Sequence, residues 1–225
     1  MNKFNIILNE STRKIIDTAD TTSSIVDTIR SRISNYLGYD VNHLLFDTND
    51  SAFVYGGAVR DSIADLPIHD IDIMALPRAA RLLSQKLTDE FGFKQLPLAN
   101  IDIIRLYFGH RIINLPWTYI KDDCIVQLIR PAIGRHEIPR AKIEVCLRNV
   151  DLSCCGVAYK PTILIETCDN AIDHCKQKVF KALTENLLYR KDRITHRIVK
   201  LQERGWSEIK NDQESEPEII DYESL

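Results

Sequence analysis

The chain has 225 residues, of which 44% are hydrophobic and 27% charged, a balance that excludes a wholly disordered or fibrous chain and predicts a folded core. Its formal net charge of −3 excludes a uniformly basic surface of the kind that nucleic-acid backbones require, so any such surface must be local. No apolar run approaches the length that spans a bilayer and no signal-peptide pattern opens the chain, so the sequence predicts a cytoplasmic protein with no membrane partner.

In chain order, the first pattern is "TADTTSSIVDTIRSRISNYLG", where Ile25, Ile29, Ile33 and Leu37 recur every four residues and Gly38 closes the run. This predicts a helix laid on a core. "FVYGG" follows as a strand ending in a tight turn, and Val59, Ile63 and Leu66 then share one face of a short helix stopped by Pro67. "HDIDIMAL" (69–76), "CIVQLIR" (124–130) and "KIEVCLRNVDLSC" (142–154) read as strands. "RAARLLSQKLTDEFG" reads as a helix ended by Gly92, and "IDIIRLYFGHRIINLPWTYI" holds one or two further strands. From 169 to 206 the pattern is helical again. The order predicts an α+β fold with one mixed or antiparallel sheet and flanking helices. We divide it into an N-terminal helical segment (1–50), a core (51–168), basic C-terminal helices (169–206) and an acidic flexible tail (207–225).

Six cysteines in this setting are expected as free thiols. Cys154, Cys155, Cys168 and Cys175, with His174, lack the paired C-x-x-C spacing of a zinc site and read as buried side chains.

Two elements carry chemistry. Gly56 and Gly57 sit at a strand-to-helix turn, where missing side chains let backbone N–H groups approach an anion at a helix N-terminus. Asp70 and Asp72 alternate with Ile71 and Ile73, so a strand sends both carboxylates to one face, roughly 7 Å apart along the chain, and both isoleucines to the other. Such carboxylates repel unless a cation lies between them, and hard oxygen ligands suit Mg²⁺ beside a polyphosphate. Two-ion transfer needs a third carboxylate. Asp151, alternating with Val150 and Leu152, is the candidate, with Glu144 and Asp102 as alternatives.

The run Gly56, Gly57, Ala58, Val59, Arg60, Asp61, then Asp70 and Asp72, resembles the signature of the class II polymerase-β-like nucleotidyltransferases, which include tRNA CCA-adding enzymes and bacterial poly(A) polymerases. The resemblance covers roughly residues 50 to 155 and implies a polymerase-β-like nucleotidyltransferase fold. It implies a nucleoside triphosphate substrate, ATP or CTP, with Gly56 and Gly57 cradling the phosphates. It also implies that Arg60 and Asp61 organise that turn and touch the nucleotide, and that two Mg²⁺ ions sit on Asp70, Asp72 and Asp151. The implied acceptor is an RNA 3′ end such as that of tRNA. Two features depart from the pattern: "ADLPIH" stands where those proteins carry a glycine before the Asp-x-Asp strand, and only about seventy residues follow Asp151. Transfer to a protein or small-molecule hydroxyl therefore stays open as an acceptor reading, as does a non-catalytic module that binds nucleotide or RNA.

Residues 176–204 hold nine Lys or Arg against three acids. Arg190, Arg193, Arg197, Lys200 and Arg204 are three or four residues apart, which places them on one helix face, where they are read as an RNA-backbone contact or as a solvated face. Trp206 is read as a packing anchor or a base-stacking platform.

Overall fold

A computed structural model describes residues 14–16, 20–48, 51–97, 115–130, 150–161, 163–183 and 191–209. The helical stripe near the N-terminus forms α1 (Asp20–Leu37), and its spacing does what four-residue spacing requires: Ile29 and Ile33 are fully buried and Leu37 nearly so. A short α2 (Val41–Leu45) follows, its first turn capped by the Asp40 carboxylate accepting from the Asn42 N–H.

The centre is built from β2 (Ala52–Tyr55), α3 (Gly57–Ile63), β3 (Ile71–Ala75) and α4 (Pro77–Gln85), which runs on as a π-turn over Lys86–Glu90. Strands β4 (Lys94–Gln95), β5 (Leu115–Lys121) and β6 (Cys124–Arg130) come next, then β7 (Val157–Lys160) and β8 (Ile163–Glu166). With β1 (Lys14–Ile16), these form an eight-stranded sheet in the order β1-β8-β7-β2-β3-β6-β5-β4. Every pairing is antiparallel except β3 with β6, so the sheet is mixed. The C-terminal part holds α5 (Ala171–Gln177), β9 (Val179–Phe180), α6 (Lys191–Glu203) and β10 (Ser207–Glu208), with β9 and β10 paired in parallel.

The two faces of the sheet differ. Ala52, Val54, Ile71, Ile73, Val126, Leu128, Tyr159 and Leu164 join α1, α3 and α4 in the main core. On the other face Phe53, Met74 and Ala158 make a smaller cluster, bordered by Tyr55 and Ile165. This is the period-2 alternation of a sheet that buries one side against helices. Among the described residues no helix is long and apolar enough to cross a membrane.

The expected strand over "CIVQLIR" is found in full, and "HDIDIMAL" is found over Ile71–Ala75. The strand expected over 142–154 lies outside the described residues up to 149; beyond that, Leu152 makes one isolated bridge to Ala182 and Ser153–Cys155 turn as a 3₁₀ helix. The C-terminal part is less helical than expected, because two-residue strands β9 and β10 lock Val179–Phe180 against Ser207–Glu208. Ser207 and Glu208 thus belong to this ladder, and the acidic stretch from 210 lies outside the described residues.

Candidate active site

The Gly-Gly turn and the aspartates meet because β2 and β3 run antiparallel with Tyr55 opposite Asp72. That register brings the end of β2, where the glycines follow Tyr55, alongside the start of β3, where Asp70 precedes Ile71. Gly56 has φ of 68° and ψ of −129°, a positive-φ conformation that glycine adopts readily and a residue with a Cβ does not. Gly57 opens α3, and a Cβ there would meet only the Arg60 Nη2, at 3.7 Å. The first N–H groups of a helix precede its own acceptors, which makes this turn a natural anion seat.

Asp72 lies on the face opposite the helices and is partly exposed, as is Asp70. The register sets a row across that face: Thr118, Gln127, Asp72, Tyr55, Ala158 and Ile165. Two hard carboxylates one residue apart fit Mg²⁺, which usually takes one or two carboxylates and completes its shell with water and phosphate oxygens.

Asp151 is not part of this wall. It is 1% exposed and its two oxygens accept from Arg197 Nη1 at 2.5 and 2.6 Å. Among the described residues no three His, Cys, Asp or Glu side chains converge where an ion could sit. Asp151, expected as a third catalytic carboxylate and ligand for a second ion, is found buried against Arg197, the partner that a buried charge needs. Of the alternatives, Asp102 and Glu144 lie outside the described residues.

Arg60 and Asp61 are interior as well. Asp61, 3% exposed, accepts from Arg60 Nε at 2.8 Å and from Arg204 Nη2 at 3.1 Å. Arg60 also reaches the Cys155 Sγ at 3.5 Å, and its guanidinium lies 5.5 Å from the Trp206 ring centroid. Direct nucleotide contact by the Asp61 carboxylate is therefore corrected to bracing of the turn.

Arg60, which reaches the Cys155 Sγ at 3.5 Å, and Arg197 also act on this buried thiol. The hydrogen bond from the Cys154 thiol, with Arg60 and Arg197 behind it, outweighs burial and draws the Cys155 thiol down to about 6. An unfolded cysteine titrates near 8.5, so between about pH 6 and 8.5 the unfolded chain binds the extra proton and stability rises with pH. It is lost as pH falls through the folded value. Burial lowers His174 and gives the same sign near its own range, so the test is a difference. The melting temperature of the native chain minus that of Cys155→Ser should climb across this window; a flat difference would show Cys155 to be a neutral thiol.

No family model and no curated protein sequence matches the chain. Solved structures do. A CCA-adding enzyme in its apo form superposes with a TM-score of 0.60 at 17% identity, covering 86% of this chain and 43% of that one. A complex of CCA-adding enzyme with ATP gives 0.60 at 16%, over 85% and 43%. The Thermotoga maritima CCA-adding enzyme complexed with tRNA gives 0.53 at 17%, over 86% and 43%.

The chain has the polymerase-β-like nucleotidyltransferase fold.

It spans less than half the length of the solved structures it resembles. Within the nucleotidyltransferase fold, the basic stripe on α6 is partly turned inward. Arg197 is held by Asp151, and Arg204 by Asp61 and the Pro67 carbonyl at 3.2 Å. These two, read as RNA-backbone contacts or part of a solvated face, tie α6 and the turn after it to the rest of the fold. Lys200 is exposed, Arg190 lies outside the described residues, and Arg193 lies on α6. Trp206, 3% exposed under Arg60, is the packing anchor and not a base platform.

Sequence reading missed Gln127, Thr118 and Tyr55, the polar neighbours of Asp72. Their only signal was alternation within separate strands; the register that lines them up is a tertiary fact.

Proposed function

We propose that the chain is a Mg²⁺-dependent nucleotidyltransferase that moves a nucleoside monophosphate from ATP or CTP to an acceptor hydroxyl, with an RNA 3′ end as the acceptor. The observation that carries this reading is the register that sets the Gly56–Gly57 turn beside Asp70 and Asp72. Gly57 and the first N–H groups of α3 receive phosphate oxygens, while Arg60 and Asp61 brace the turn from inside. Asp70 and Asp72 would hold the ion, which supplies charge neutralisation for the polyphosphate and a lowered pKa for the attacking hydroxyl. The acceptor oxygen bonds to the α-phosphorus, the bond from that phosphorus to the bridging oxygen breaks, pyrophosphate leaves and the hydroxyl proton passes to solvent.

A second reading, a protein or small-molecule hydroxyl as acceptor, is favoured by the inward-turned Arg197 and Arg204, which remove two cations from an RNA-facing surface. Incubation with each α-labelled nucleoside triphosphate, with tRNA or with a protein extract, separates them. Label in tRNA supports the first reading, label in protein or small molecule the second, and no label anywhere overturns both.

Gly57→Val should keep the fold, since only Arg60 Nη2 lies near the new Cβ, yet fill the space that phosphate needs. We expect a loss of nucleotide affinity of about tenfold or more, from placing a side chain where backbone must meet the ligand. Calorimetric titration with ATP and CTP checks it, and native affinity would remove the turn from the site.

A further inference from the structure

The segment between α3 and β3 has no ladder bonds of its own and is pinned from outside. Arg32 of α1 binds the Asp65 carboxylate and donates to the Leu66 carbonyl at 2.7 Å, and Arg204, in the turn that follows α6, donates to the Pro67 carbonyl. The last pin is Tyr36 of α1. Its hydroxyl donates to the His69 carbonyl at 2.5 Å and accepts from the Ile125 N–H at 3.1 Å.

The parallel ladder between β3 and β6 begins at Ile71 opposite Val126. Ile125 of β6 and His69, two residues ahead of β3, therefore stand just before it, with Asp70 between His69 and the first paired residue. One phenol oxygen closes the gap between the strands where backbone bonding has not yet begun. Without it, Asp70 would hang on a strand end free to fray, whereas Asp72 is fixed inside the ladder.

We infer that Tyr36 is a positioning residue that sets Asp70 in line with Asp72 for cation binding. This rests on the proposed nucleotidyl-transfer reading. A tyrosine phenol ordinarily titrates near 10, so the hydroxyl stays protonated and able to donate through the neutral range.

Tyr36→Phe keeps the ring and removes only the oxygen. The test measures Mn²⁺ binding by electron paramagnetic resonance, alone and with ATP or CTP, beside kcat and KM for nucleotide. The control Tyr39→Phe removes a hydroxyl from the neighbouring turn, where it donates to the Phe91 carbonyl at 3.2 Å, away from Asp70. We expect Mn²⁺ to bind about tenfold more weakly in Tyr36→Phe, the scale of losing a partner that orients a ligand, with Tyr39→Phe native. Raising Mn²⁺ should restore kcat in Tyr36→Phe but not in Asp70→Ala. Mn²⁺ affinity within twofold of native in Tyr36→Phe, while Asp70→Ala abolishes binding, would overturn the role of Tyr36 alone. Native binding in Asp70→Ala as well would overturn the cation site itself.

Discussion

Asp72→Asn should reduce nucleotide transfer by about 10²–10³-fold or more, the scale of removing one preorganised charge-stabilising group from a reaction centre. The position leaves little room for a substitute: Asp72 lies in the ladder between Tyr55 and Gln127, and neither neighbour carries a carboxylate. Folding should survive, because asparagine is isosteric and the change removes a charge from beside Asp70; the melting temperature should stay level or rise slightly. Initial rates with labelled ATP and CTP at saturating Mg²⁺, read beside thermal unfolding, check both halves. An unchanged rate would mean the carboxylate takes no part in the chemistry. Nucleotide-induced thermal stabilisation that is indifferent to both Mg²⁺ and this substitution would instead identify a binding module.

The second large effect belongs to stability. Arg197→Ala strands the Asp151 carboxylate, whose side chain is 2% exposed, whereas the Arg197 side chain keeps 40% exposure. Breaking such a pair from the solvent-facing side leaves a buried charge uncompensated, which costs about 3 kcal/mol. For a chain of this size that is a fall of roughly 6–12 °C in melting temperature. Asp151→Asn should cost less, because the freed guanidinium reaches water. The double variant should recover part of the loss of Arg197→Ala, since the buried charge goes too. If Asp151 bound an ion at the reaction centre, Asp151→Asn would instead cut transfer at unchanged melting temperature, and the ion-pair reading would fall.

Much of the architecture was legible in the chain. The stripe of Ile29, Ile33 and Leu37 needed only the 3.6-residue period to announce a packed helix, and the Asp-x-Asp strand and "CIVQLIR" needed only the period of two. The hairpin of β7 and β8 escaped notice because Val157–Lys160 follows directly on a 3₁₀ turn and offers four residues of pattern, too short to separate from its flank. The fate of the charges was harder still. Asp61, Asp151, Arg197 and Arg204 look like surface residues by type, and nothing in spacing along one helix tells a solvated guanidinium from one that crosses to a carboxylate 46 or 143 residues away.

By itself the sequence determined which segments could become helix or strand, that a glycine pair would follow a strand end and that an aspartate pair would share one face of the next strand, because backbone sterics and side-chain period act over a few residues. Tertiary structure alone decided which charges face one another: it set the glycines beside Asp70 and Asp72, gave Asp151 to Arg197, and brought Tyr36 to the start of β3. Coulomb interaction and desolvation depend on distance and burial in three dimensions, and neither is written in the order of residues along a chain.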